Sequence, residues 1–150
     1  MFVPLMLMFP EVVKVPVSQI SLVSSLNAKE HWSIGEVLTP LREEGVLIIG
    51  SGMSYHGFFH ELPRGVSMEA ASKSFDDYLS AAVLELSGAK RKEALCEWEK
   101  GQYARVSHPR EEHLIPLMVV AAAAKDDKAT RIFHTGGKTG LVISAYQFGV

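Results

Sequence analysis

The sequence is nearly without cysteine, since its 150 residues contain only Cys96. A single thiol excludes a disulfide within the chain and any metal cluster built from several cysteines. Nothing around Cys96 marks it as a nucleophile, and we interpret it as a buried or spectator thiol.

The sequence also lacks an excess of charge of either sign. It has 15 Lys and Arg residues against 17 Asp and Glu residues, for a formal net charge of -2 with histidine neutral. No overall basic field is present to hold a nucleic acid or an anionic membrane. We therefore expect neither of these as a partner.

Long apolar runs are missing as well. The N-terminal stretch Met1–Pro10 is apolar, but Pro4 and Pro10 interrupt it, and no basic residue precedes it. A spanning helix needs about 20 apolar residues, and a signal peptide needs a basic start and a small-residue cleavage site. We expect a cytoplasmic protein without a membrane partner, in which Met1–Met8 packs into a core or associates with another chain.

What the sequence does contain is enough apolar residues, 47%, for one folded domain. Hydrophobic periodicity and breaker residues predict an α/β mixture. The predicted strands are Val15–Leu22, Val46–Ile49, Arg131–His134 and Leu141–Phe148, and the predicted helices are Ala28–Glu44, Ser67–Leu86, Lys90–Lys100 and Glu111–Ala124.

Local signals support these boundaries. Asn27 is a suitable N-cap for the first helix, and Gly45 supplies its C-terminal stop. The four apolar residues Val46–Ile49 predict a strand buried on both faces. This strand leads into the small-residue loop 50–56, and in open α/β sheets chemistry collects at the carboxyl ends of strands.

The sequence has six histidines, and two of the contexts in which they occur are candidates for chemistry. His56 lies in the loop after the predicted buried strand, where an imidazole can transfer protons near pH 7. The alternative interpretation is a loop histidine bonded to solvent. The other histidines, His31, His60 and His134, are interpreted as packing or surface residues.

The second context is the segment from His108 to His113, where Glu112 and His113 are adjacent. Imidazole and carboxylate together suit Zn(II) or non-haem Fe(II). Two ligands are fewer than the three that open catalytic sites usually keep. The alternative is a charged helix start, where glutamate is favoured by the helix dipole.

Together these segments resemble a known family. Residues 45–56 are similar to the strand, loop and histidine of the class III extradiol ring-cleavage dioxygenases, subunit-B-like branch, which includes the DOPA dioxygenases. Residues 98–124 resemble the same family's late motif. Further similarity is found in Phe2–Leu5, in Val15–Leu22 and in the ending Ala145–Gly149.

The resemblance implies a fold with a mixed sheet flanked by helices, present here in incomplete form. Chains of the family are longer at the N-terminus and carry two metal-binding histidines there. Residues 1–150 are therefore expected to be one partial catalytic domain, the C-terminal half of such an enzyme.

The resemblance also implies site residues and chemistry. His56 corresponds to an active-site histidine that acts in acid/base catalysis or binds metal, and Glu112 and His113 correspond to the motif that completes the metal site. Which of these two binds directly stays open. Fe(II) is the expected cofactor, with Zn(II) as the alternative, and the substrates are a catechol and O2, which yield a ring-opened semialdehyde.

Other functions remain open on the same fold. The chain could be a catalytically inactive fragment, or a half that acts only with a partner that supplies the missing N-terminal part. It could also be a metal-sequestering or interaction protein.

Overall fold

The computed structural model describes residues 15–136 and 140–149. The predictions made for Met1–Met8, for Phe2–Leu5 and for Gly137 concern residues outside these described ranges. Short 3₁₀ turns join the main elements. These elements are α1 (Ala28–Glu43), α2 (Met68–Ser80) with a following π turn (Ala81–Glu85), α3 (Gly88–Cys96), α4 (Ala104–Ser107), α5 (Ile115–Ala123), β1 (Ala129–His134) and β2 (Ser144–Phe148).

Helix α1 begins where the sequence predicts. The Asn27 side chain accepts hydrogen bonds from the backbone N–H groups of Lys29 and Glu30, which satisfies two of the free donors at the helix start. The buried face of α1 packs on α5, and Gly35 allows the close approach. A Cβ atom at Gly35 would lie 2.2 Å from the Val119 carbonyl oxygen.

Helix α2 supplies the centre of the core. The helix predicted over Ser67–Leu86 is confirmed as α2 and the π turn, and an apolar stripe along it is buried, since Phe75, Leu79 and Val83 are fully buried. They pack with Trp98 and with residues of α5 such as Met118 in one hydrophobic cluster. Burial of such side chains is worth roughly 1.5–3 kcal/mol each, so this cluster is the main source of stability.

The third and fourth predicted helices are each divided. Residues 90–100 form α3 and a 3₁₀ turn, because the backbone leaves helical geometry at Glu97. Residues 111–124 form a 3₁₀ turn at Glu111–His113 followed by α5. Pro116 lies in the first turn of α5, where a missing N–H group costs nothing.

The described sheet consists of β1 and β2, which pair in antiparallel fashion with an irregularity between Arg131 and Phe133. The two C-terminal strand predictions are therefore confirmed. The second strand begins at Ser144, later than predicted. Thr135 explains the delay, because its hydroxyl donates to the Leu141 carbonyl and accepts from the Ile143 N–H.

The predictions of strands at Val15–Leu22 and Val46–Ile49 are wrong for the described structure. Both segments lie outside the sheet, and Leu47, expected to be buried, is 74% exposed. An isolated extended segment does not become a strand without a neighbour to accept and donate its backbone hydrogen bonds. The α/β class is confirmed, since residues 15–136 and 140–149 contain five helices and a two-stranded sheet.

Candidate active site

Two loops that are far apart in sequence are joined by backbone hydrogen bonds. The Met53 N–H donates to the His113 carbonyl at 2.9 Å, and the His56 N–H donates to the Ser107 carbonyl at 2.8 Å. Gly52 is required for this approach, since a Cβ atom there would lie 2.1 Å from the His113 oxygen. The loop after residues 46–49 is therefore held along the segment that precedes α5.

This pairing brings two predicted site residues into contact. The imidazole rings of His56 and His113 stack with centroids 3.9 Å apart and planes inclined by 18°. Both side chains are half-buried. The site therefore presents two imidazoles, from separate parts of the chain, at a partly solvent-accessible position.

Glu112 directly precedes His113 in the sequence and contributes a carboxylate. Its Oε2 atom is buried and has no hydrogen-bond partner, although the Arg110 Nε lies 3.3 Å away. In the described part of the chain, no three His, Cys, Asp or Glu side chains are grouped so that they could hold a metal ion. Glu112, His113 and His56 thus provide suitable donor types without forming a complete cluster.

His108 is a component whose role the sequence did not reveal. It is fully buried, and its Nε2 lies 3.1 Å from the Ser54 carbonyl oxygen. The pKa of His108 is lowered to about 4, chiefly by burial and with a smaller contribution from the neighbouring His56 and His113, against the opposing effect of the Ser54 hydrogen bond. The ring is neutral near pH 7, so Nε2 carries the proton and donates to Ser54.

His108 and Ser54 together fix the loop that carries His56. The His108 ring packs edge-on against Phe75 and Trp98, which prevents it from turning away. The Ser54 hydroxyl accepts from the Ser144 N–H at 2.9 Å, which ties the same loop to β2. His–Pro before an acidic stretch is the local signal for His108, but its partner is 54 residues away in sequence.

The remaining histidines have structural surroundings. His31 is buried, and its ring contacts the Asn27 carbonyl and accepts from the Val23 N–H, as expected for a packing residue. His60 stacks on Phe58, with ring centroids 5.7 Å apart. His134 lies at the hairpin, with its Nδ1 3.8 Å from the buried Asp76 carboxylate.

The fold and the paired loops agree with a defined family of proteins. Residues 1–148 match the family described as the catalytic LigB subunit of aromatic ring-opening dioxygenase. The chain belongs to this family, and the resemblance stated from its motifs is confirmed.

Particular relatives can be named. The chain is 34% identical over 148 residues to the 4,5-DOPA dioxygenase extradiol of Beta vulgaris and 36% identical over 154 residues to that of Mirabilis jalapa. It is also similar to the crystal structure of the uncharacterized protein JW3007 from Escherichia coli K12, with a TM-score of 0.79 and 26% identity.

The chain spans about half the length of the curated relatives it matches. The alignments cover 98% and 97% of this chain but 54% of each plant relative. The structural match likewise covers 97% of this chain and 59% of the Escherichia coli protein. A large part of each relative therefore has no counterpart in this sequence.

Proposed function

We propose that this chain contributes to a dioxygenase of the extradiol type, which opens the aromatic ring of a catechol with O2. The observation that carries the proposal is the stacked pair of His56 and His113, formed by the two motifs whose sequence resembles the family. The plant relatives are named for 4,5-DOPA, and a DOPA-like catechol is the proposed substrate class.

A metal ion is part of this proposal. Imidazole and carboxylate donors suit non-haem Fe(II) and also Zn(II). The buried Oε2 atom of Glu112 makes no hydrogen bond to a described residue, and the Arg110 Nε atom lies 3.3 Å away as its ion-pair partner. His113 or Glu112 would hold the metal, which would supply the reaction with oxygen, and His56 would stay free as the acid/base group.

The protein groups then have separate tasks. His56 is anchored through its backbone N–H to Ser107, so its imidazole is placed while its ring stays partly accessible. An imidazole in that position accepts a proton from a catechol hydroxyl and returns it later in the reaction.

A second candidate is an inactive fragment or a partner-dependent half. It is favoured by the incomplete ligand cluster among the described residues and by the 54% coverage of the relatives. On this alternative, residues 1–150 are part of a catalytic domain and act only when other metal ligands are supplied.

In the part of the chain that the structure describes, no helix is long and apolar enough to cross a membrane. The compartment that we propose for the protein is the cytoplasm.

The test joins this chain to the part of the Beta vulgaris relative that it does not match. The purified protein is loaded with Fe(II) without oxygen, and a catechol such as DOPA and O2 are then added. We expect a yellow ring-opened product, and we expect His56→Gln to lower its rate by about 100-fold or more, because a positioned acid/base group is worth 10² to 10⁴.

The matched control is His60→Gln, because His60 is exposed and stacks on Phe58, which in turn contacts the His56 ring. It should leave the rate within about twofold of the unmodified protein, which is the level of a neutral surface change. A folded, iron-loaded joined protein that forms no product contradicts the proposed function. Equal loss in the two variants contradicts the role of His56.

The open choice between Glu112 and His113 is settled by metal affinity. We expect the variant of the direct ligand, Glu112→Gln or His113→Gln, to weaken Co(II) binding to the joined protein by more than about tenfold. Visible absorption of the bound Co(II) reports the ligand set independently of activity. If neither variant changes the affinity or the spectrum, this segment does not bind the metal.

A further inference from the structure

Helix α4 is bonded to both of the loops that carry the stacked histidines. At its last residue, the Ser107 carbonyl accepts the hydrogen bond from the His56 N–H at 2.8 Å. The Nη1 atom of Arg105, which also lies in α4, donates to the Glu111 Oε1 atom at 2.6 Å. Glu111 begins the 3₁₀ turn that ends at His113. This short helix therefore links the two sides of the candidate site.

The guanidinium of Arg105 is held by more than one group. Its Cζ atom lies 4.7 Å from the ring centroid of the buried Trp98, and its N–H groups pair with Glu99 as well as with Glu111. A planar guanidinium suits this arrangement, because it stacks on an aromatic face while it donates to carboxylates. Although Arg105 is half-exposed, a network of charges restrains a side chain more than an isolated surface ion pair does.

Glu111 transmits this restraint to the candidate metal ligands. Its side chain is 20% exposed, and its carbonyl accepts from the Leu114 N–H at 2.8 Å, which closes the turn. Because a 3₁₀ turn is defined by such a bond between residues three positions apart, its residues move together. A displacement of Glu111 therefore also displaces Glu112 and His113.

We propose that Arg105 is a positioning residue of this site, and that its ion pair with Glu111 sets the position of His113 against His56. The stack of the two imidazoles at 3.9 Å is then maintained by the contacts that α4 makes with both loops. An effect of Arg105 on metal binding rests on the proposed function, whereas its effect on the stack does not.

The first measurement uses the full 150-residue chain without metal or substrate. Cross-relaxation between the ring protons of His56 and His113, measured by NMR, reports the stack directly. We expect Arg105→Gln and Glu111→Gln each to lose this signal, because either change removes the ion pair that holds the turn. Circular dichroism of both variants should match that of the unmodified chain, because the helical core is unchanged.

The matched control is Lys100→Gln. It removes a positive charge from the neighbouring 3₁₀ turn Trp98–Lys100, but the ion pair that it breaks is an exposed one with Glu97. This variant should keep the cross-relaxation of the unmodified chain. If Arg105→Gln lowers the melting temperature and leaves the cross-relaxation unchanged, the role of Arg105 is structural only and the proposal is overturned.

The second measurement is the affinity of the joined protein for Co(II). Groups that orient a metal ligand typically contribute about 10- to 100-fold to metal affinity. We expect Arg105→Gln and Glu111→Gln each to weaken Co(II) binding by about tenfold, and the double variant to weaken it by about the same factor, because the two residues act as one pair. A loss of about a hundredfold in the double variant would show that they act independently and would overturn the proposal.

These measurements separate the positioning role from the proposed function. If the joined protein opens no catechol ring, the proposed function is contradicted, while loss of the stack in Arg105→Gln still supports the positioning role. If the joined protein is active and Arg105→Gln changes neither the stack nor the Co(II) affinity, the proposed function stands and the positioning role is overturned.

Discussion

At the residue scale, His108 is a buried neutral imidazole that holds the loop of His56. Its pKa lies at about 4 against an ordinary 6.5. Between about pH 4 and pH 6.5 the unfolded chain therefore binds a proton at His108, whereas the folded protein does not. The resulting stability is present above pH 6.5 and is lost as the pH falls toward 4.

We expect this residue to make the free energy of unfolding fall by about 2 kcal/mol between pH 7 and pH 5, an order-of-magnitude value from the linkage relation. His108→Asn should be less stable at pH 7, since the Ser54 carbonyl loses its donor, and should show a smaller decrease on acidification. Urea unfolding at the two pH values measures both effects. His60→Gln is the control and should retain the decrease of the unmodified chain.

The same residue shows what the sequence alone could predict of the site. His56, Glu112 and His113 were candidates because loops after strands and acidic helix starts are local patterns. The stacking of His56 on His113 and the contact of His108 with Ser54 join residues more than 50 positions apart. Such contacts depend on the packing of whole elements, which no local pattern encodes.

At the scale of elements, Arg91 connects α3 to the turn before β1. Its guanidinium is 1% exposed, donates to the carbonyls of Leu86, Lys125 and Asp127 at 2.9–3.0 Å, and lies over the Phe148 ring. The planar fork of arginine reaches all three oxygens at once, which lysine cannot do. This one side chain therefore connects α3 to the turn before β1 and to Phe148 of β2.

We expect Arg91→Lys to lower the free energy of unfolding by about 2 kcal/mol and Arg91→Met by about 3 kcal/mol or more, because buried carbonyls are left unpaired. Chemical denaturation measures the change. The neighbouring Lys92→Met is the control, since the exposed ion pair of Lys92 with Glu36 is worth about 1 kcal/mol at most. A similar small loss for Arg91→Lys would show that Arg91 does not make this connection.

Helices could be predicted from the sequence more reliably than strands. The helices followed from the sequence because their signals are local, such as the Asn27 cap and the stripe of Phe75, Leu79 and Val83. The strand predictions at Val15–Leu22 and Val46–Ile49 used equally good local signals. They were wrong for the described structure because a strand needs a partner, and the described residues provide none.

At the scale of the whole molecule, the chain matches one dioxygenase family over residues 1–148 and spans about half the length of its plant relatives. The described residues form one hydrophobic core around α2 and α5, but they hold no group of three possible metal ligands. The activity proposed for this family is therefore tested on this chain joined to the part of the Beta vulgaris relative that it does not match.

The most direct test is the rate of ring opening by the protein that joins this chain to the unmatched part of the Beta vulgaris relative, measured with Fe(II), DOPA and O2. We expect a ring-opened product and a loss of rate of about 100-fold with His56→Gln. A stable, iron-loaded joined protein that opens no ring, or one whose rate is unchanged by His56→Gln, would contradict the proposed function.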